Sequence, residues 1–134
     1  LRGKICENRV CFELMDWNDL TPKTLGDSIH LVVSNPPYLT EHEWSDSMPE
    51  VWEHDPKSAL VAEENGLADI FKVIEVSSIL LVKGGLFVME IGKGQAKKIE
   101  DQVKLFYSRF EFSKDLHGVR RFLWASKDSK FPWD

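Results

Sequence analysis

The segment Ser28-Ile29-His30-Leu31-Val32-Val33-Ser34 runs directly into Asn35-Pro36-Pro37-Tyr38, and no other stretch of the chain restricts its fold as tightly. Ile29 to Ser34 reads as a strand that is apolar on both faces, the pattern of a central parallel strand in an α/β sheet. Two successive prolines must end it, because each lacks an N–H and fixes its own φ, and each also restricts the residue before it. The strand therefore stops at one defined rim. In open α/β sheets the carboxyl rim is where ligands bind.

The residue types at that rim suit a planar NH2 group. An amide or exocyclic amine nitrogen is a poor nucleophile because its lone pair is delocalised. An enzyme that methylates such a nitrogen must hold both N–H bonds and leave the lone pair facing the electrophile. The Asn35 side-chain oxygen offers one acceptor and the Pro36 carbonyl another. Pro36 and Pro37 hold those acceptors stiffly, and Tyr38 offers a flat face for packing. As a sulfonium methyl arrives, the nitrogen becomes positive, and oxygen acceptors stabilise it most at that moment. Asn-Pro-Pro also builds ordinary strand-terminating turns. Its placement after a buried-looking strand and before an aromatic favours the binding rim.

The rest of the chain supplies a sheet around that strand. Asn8 to Met15 is expected to be a short strand ending in Asp16-Trp17, and Asn18 to Asp27 a loop or irregular helix. Leu39 to Val61, long and punctuated by proline, has the character of a functional lid or binding loop. Gly66 to Val82 carries Leu67, Ile70, Phe71, Ile74, Ser78 and Leu81 at helical spacing, with Lys83-Gly84-Gly85 as its stop. Leu86 to Gly92 reads as the most buried strand, and Gln95 to Phe106 as a helix with Ile99, Val103 and Phe106 inward. Glu111 to Leu116 and Arg121 to Ser126 read as antiparallel strands joined at His117-Gly118-Val119. Strand, loop, strand, helix, strand, helix and hairpin make the closing half of a doubly wound α/β sheet.

Composition narrows the function classes. A chain of 134 residues with 43% apolar content is the size of one domain with a sizeable core. The net charge is −5, and Lys97-Lys98 and Arg120-Arg121 are the basic doublets that stand out. That is a poor footprint for neutralising phosphates, so no direct nucleic-acid partner is expected. The run from Val73 to Val82 is too short and too polar to span a bilayer, so no membrane partner is expected either. Cys6 and Cys11, with four residues between them, are expected to be free thiols, a disulfide or metal site being the alternative. His30, His42, His54 and His117 are scattered and call for no metal.

Several of these pieces, in order, resemble the release-factor glutamine methyltransferases of the HemK/PrmC family. They are Asp16-Trp17, Val33 through Tyr38, Pro49-Glu50-Val51 with Asp55-Pro56 and Ala59-Leu60, Gly66-Leu67-Ala68-Asp69, Gly84-Gly85 and Glu90-Ile91-Gly92. Asn-Pro-Pro-Tyr alone is shared with methyltransferases of adenine, cytosine and guanine amines, and the Pro49 to Leu60 pattern singles out the protein-glutamine branch. The resemblance implies the carboxyl-terminal part of a Rossmann-like class I methyltransferase sheet, ending in an antiparallel hairpin, with residues 1–134 belonging to one domain. It implies S-adenosyl-L-methionine as methyl donor and a class I peptide-chain release factor as partner, methylated at the glutamine of Gly-Gly-Gln. Asn35, Pro36 and Tyr38 would be catalytic, with Pro37 beside them on the substrate. Asp16 and Trp17 would meet the adenine, with Asn35 also on the cofactor side. Trp17 as a core anchor and Asp16 as a helix cap are the alternatives.

Glu50, in the long loop, and Glu90, at a central strand end, are further substrate-side candidates. Glu53 and Asp55 read as capping or solvated. Asp55-Pro56 and Glu63-Glu64-Asn65 depart from the family pattern. The glycine-rich turn and ribose-binding carboxylate of such enzymes have no counterpart here, so the chain is expected to be a carboxyl-terminal piece that leaves strand edges unpaired, is marginally stable alone and binds the cofactor weakly or not at all. A nucleic-acid amino-methyltransferase and a non-catalytic fragment are the competing readings. The compartment follows only from the source, mitochondrial for a eukaryote and cytoplasmic for a bacterium.

Overall fold

The computed structural model describes residues 4–25, 28–46, 56–62 and 66–134. The strands are β1 (Lys4–Glu7), β2 (Val10–Glu13), β3 (Ile29–Ser34), β4 (Leu81–Glu90), β5 (Arg109–Lys114) and β6 (Arg120–Ser126). The helices are α1 (Pro22–Leu25), α2 (Glu41–Ser45), α3 (Ala68–Leu80) and α4 (Ala96–Phe106), with 3-10 turns at Trp17–Asp19 and Lys57–Ala59. Four strands form a mixed sheet in the order β3-β4-β6-β5. β3 and β4 run parallel, and β6 lies antiparallel between β4 and β5.

The core follows from two matching periodicities. On β4, Phe87 and Met89, two residues apart, point to one face, and Ile91 beyond the strand end continues the row; all three are fully buried. Across the ladder they stand beside Ala125 and Leu123 of β6. Ile70, Val73 and Ile74 of α3 and Ile99 and Val103 of α4 cover that face from the helical layer. Phe87 stacks on Tyr107 with centroids 5.7 Å apart. The buried Tyr107 hydroxyl is 2.7 Å from Ser77 Oγ, and burial pushes its ionisation well above the usual range. The terminal hairpin closes at Asp115, which accepts from the His117 and Val119 N–H groups at 2.9 and 3.0 Å, while Gly118 takes φ 78°.

Some of these expectations change. The strand expected over Asn8 to Met15 is the second arm of a hairpin that stands apart from the main sheet. Asn8 takes φ 54°, a value its short polar side chain tolerates, so Glu7 pairs with Val10 and the backbone groups find partners locally. Cys6 and Cys11 are opposite each other in this hairpin, and Cys11 is disulfide-bonded rather than a free thiol. β3, read from its own residues as a central strand, is an edge strand among the described residues, in line with the unpaired strand edges expected of a carboxyl-terminal piece, and Leu31 and Val33 are 54% and 70% exposed. Finally, α3 stops at Leu80 and the chain enters β4 at once. The glycine pair falls inside β4: Ile29 faces Leu81 but Leu31 faces Leu86, so the chain bulges out between them through Gly84 at φ 76°.

Among the described residues no helix is long and apolar enough to cross a membrane.

Candidate active site at the end of β3

Ser34 closes β3 opposite Met89 of β4, and the Asn35–Tyr38 segment follows at that rim. Asn35 is exposed, Pro36 buried, Pro37 and Tyr38 half-buried. The prolines bring no donors, so the next N–H groups belong to Tyr38 and Leu39. Both donate to the Leu60 carbonyl, at 3.1 and 2.8 Å, and Ala62 N–H returns a bond of 3.1 Å to the Leu39 carbonyl. A parallel bridge between Leu39 and Val61 thus ties the rim to the far end of the long connection. Asn35 Oδ1 and the Pro36 carbonyl accept no hydrogen bond among the described residues. A cavity of about 60 Å³ opens beside them, lined by Asn35 to Leu39 with Ala59 and Leu60.

Tyr38 is fixed from three sides. Its hydroxyl donates to Glu90 Oε1 at 2.9 Å, across the parallel pair. Burial, reinforced by the Glu90 hydrogen bond and charge and opposed by Arg121, raises its ionisation above the ordinary value, so the phenol stays a neutral donor. From behind, Gln95 Nε2 donates to the Tyr38 carbonyl at 2.9 Å and to the Gly66 carbonyl at 3.0 Å, while its Oε1 accepts from Gly92 N–H at 2.7 Å. Gln95 is only 5% exposed, so each bond satisfies a group that water reaches poorly. Two glycines allow this closeness. A Cβ on Gly66, where φ is 77°, would strike the Tyr38 carbonyl oxygen, and one on Gly92 would come within 2.9 Å of the Gln95 amide and 3.2 Å of the Tyr38 ring.

The other candidates divide. Glu90 lies at the site, with one oxygen engaged by Tyr38. Asp16 caps the Trp17–Asp19 turn, its Oδ1 accepting from Asn18 N at 2.9 Å and Asn18 Nδ2 at 2.8 Å. Trp17 is 36% exposed, and its turn packs against α3. Among the described residues, no hydrogen bond joins Asp16 or Trp17 to the Asn35–Tyr38 rim. Glu50, with Pro49, Val51, Glu53, Asp55, Glu63, Glu64 and Asn65, lies outside the described residues. Among the described residues no group of three His, Cys, Asp or Glu could hold a metal ion.

Sequence reasoning missed Gln95 as anything but a helix start. A glutamine three residues after Gly92 is a weak signal, because nothing local shows that its partners come from Tyr38 and Gly66. Thr40 and Glu43 were readable as a capping box by their spacing; each holds the other's backbone and starts α2 immediately after the rim.

No protein-family model matches the chain. Curated relatives do. A release factor glutamine methyltransferase of Bacillus anthracis is 35% identical over 102 residues, covering 75% of this chain and 36% of that protein. The protein of the same name from Enterococcus faecalis is 35% identical over 111 residues, 81% of this chain and 40% of its own length. That of Rhodospirillum rubrum is 30% identical over 128 residues, 94% of this chain and 38% of its length. The chain thus spans less than half the length of these relatives. By these matches the chain belongs, over the segment it spans, to the family of release factor glutamine methyltransferases.

Proposed function

We propose that the protein carrying this chain transfers a methyl group from S-adenosyl-L-methionine to the side-chain amide nitrogen of a glutamine, the Gly-Gly-Gln glutamine of class I peptide-chain release factors. The observation that carries the reading is the pair of open acceptors, Asn35 Oδ1 and the Pro36 carbonyl, on a rim where the Tyr38 N–H, carbonyl and hydroxyl are already engaged. A carboxamide has two N–H donors to match them. Gripped so, its lone pair stands out of the plane of the amide. Tyr38, anchored by Glu90 and Gln95, keeps the wall against which that plane packs. The relatives' name supports the choice of substrate.

S-adenosylmethionine, when bound, supplies the sulfonium methyl as electrophile. The transfer would exchange an S–CH3 bond for an N–CH3 bond, with one nitrogen proton released to water. Asn35 and Pro36 stabilise the positive charge that develops on nitrogen. The residues here fit one side of such a cofactor: the Trp17 indole is accessible, and Asp16 Oδ2 makes no hydrogen bond among the described residues. The parallel pair followed by a reversed hairpin supports placing the chain in the carboxyl-terminal part of a Rossmann-like class I sheet.

The test uses the complete protein, labelled S-adenosylmethionine and a release factor. Label should enter the Gly-Gly-Gln factor and not one whose glutamine is replaced. Asn35→Ala should lower the rate about a hundredfold or more with little change in cofactor affinity. Unchanged turnover in that variant contradicts the assigned role.

A further inference from the structure

A second cavity, of about 150 Å³, lies on the other flank of Tyr38, between Thr40 and the turn from Gly92 to Gln95. Its wall holds three cations, Lys93, Lys98 and Arg121, and one carboxylate, Glu43. On a chain of net charge −5 this is a local reversal of sign. Glu43 is exposed, and its Oε2 is held by Thr40 N and Oγ1 at 2.8 and 2.9 Å. Arg121 reaches the Ile91 carbonyl at 3.3 Å and Asp115 at 3.4 Å, which fixes it in place. Lys93 and Lys98 are exposed and have no ion-pair partner among the described residues. The floor is rigid, because Gln95 is buried and bonded at both ends of its amide.

We infer that this cavity receives a carboxylate side chain of the protein substrate, and so sets which glutamine-bearing loop docks on the Asn35–Tyr38 rim. The inference rests on the proposed function. The volume is that of roughly five water molecules at about 30 Å³ each, room for one acidic side chain and not for a nucleotide. Two free lysines on an acidic chain are also too few to follow a phosphate backbone. Because Tyr38 is common to both cavities, the acidic residue must lie close to the methylated glutamine in the folded substrate.

Lys93→Gln with Lys98→Gln tests this in the complete protein, since neither side chain holds the fold. The KM for the release factor should rise about tenfold while kcat stays within about twofold and cofactor affinity is constant. Added salt should raise the parent's KM and leave the double variant's nearly flat. An unchanged KM in the double variant, with the parent methylating the factor, overturns the inference and leaves the proposed function standing. No methylation by the parent overturns that function instead. The cavity is then read by titrating a glutamate-rich peptide and a single-stranded oligonucleotide. Peptide binding lost in the double variant supports the site, whereas loss of oligonucleotide binding alone, or of neither, overturns it.

Discussion

The two strands of the parallel pair resemble each other in sequence and differ in circumstance. Leu86 to Ile91 on the β4 side and Ile29 to Ser34 on the β3 side are both short apolar runs. β4 has a strand on each side and two helices over one face, so Phe87 and Met89 are fully buried. β3 has a neighbour on one side only among the described residues, and Val33 is 70% exposed. β2, with Val10 at 55% and Phe12 at 64%, is exposed in the same way. Apolar strand sequence therefore states what a segment is suited to bury, and only the topology decides whether it does. The candidate site sits at the seam: Asn35 extends from the exposed strand, while Glu90 and Gln95, which position Tyr38, belong to the packed half.

The difference between the halves should appear most strongly in stability. Phe87→Ala removes a stacked, fully buried ring and should cost about 3–5 kcal/mol, whereas Val33→Ala on the open edge should cost under about 0.5 kcal/mol. Urea denaturation of both variants checks this, and equal losses would mean that β3 is covered in solution. Next in size, Gln95→Ala strands the Tyr38 and Gly66 carbonyls and the Gly92 N–H, and should cost about 1–3 kcal/mol. It should also lower turnover in the complete protein, because the Tyr38 backbone then loses its support from the packed half. A stability loss with unchanged turnover would separate the seam from the site.

Smallest is the alkaline limb. Both tyrosines of the chain, Tyr38 and Tyr107, ionise above the usual phenol value of about 10. A group whose folded pKa is raised holds its proton more tightly when folded. Its stabilising contribution is complete below the unfolded value and is lost as pH rises through the folded one. Phenolate absorbance should therefore stay low through about pH 10 in the folded chain and appear near that value in the unfolded chain. Tyr38, half exposed and close to Arg121, should ionise before Tyr107. Tyr38 titrating normally in the folded protein would show that its burial and its Glu90 contact do not persist.

How much of this was readable beforehand depends on how local each cause is. The α3 and α4 faces were legible because Ile70, Ile74, Ile99 and Val103 recur at helical spacing, and the terminal hairpin because His117-Gly118-Val119 reads as its turn, though the part Asp115 plays there was not. The rim was legible because two prolines end a strand wherever it lies. The edge position of β3 was not legible in its own residues, since its burial depends on neighbours distant in sequence, and followed only from the resemblance, which implies unpaired strand edges. Nor was the role of Gln95, whose partners come from three separate segments. The Asn8 turn was locally encoded, but a continuous strand reading over Asn8 to Met15 hid it.

A crystal structure of the complete protein with S-adenosylhomocysteine and a Gly-Gly-Gln peptide tests the central claim most directly. The glutamine amide nitrogen should lie within hydrogen-bond distance of both Asn35 Oδ1 and the Pro36 carbonyl, with the Tyr38 ring alongside. A glutamine bound elsewhere, with those two oxygens turned away from it, would contradict it.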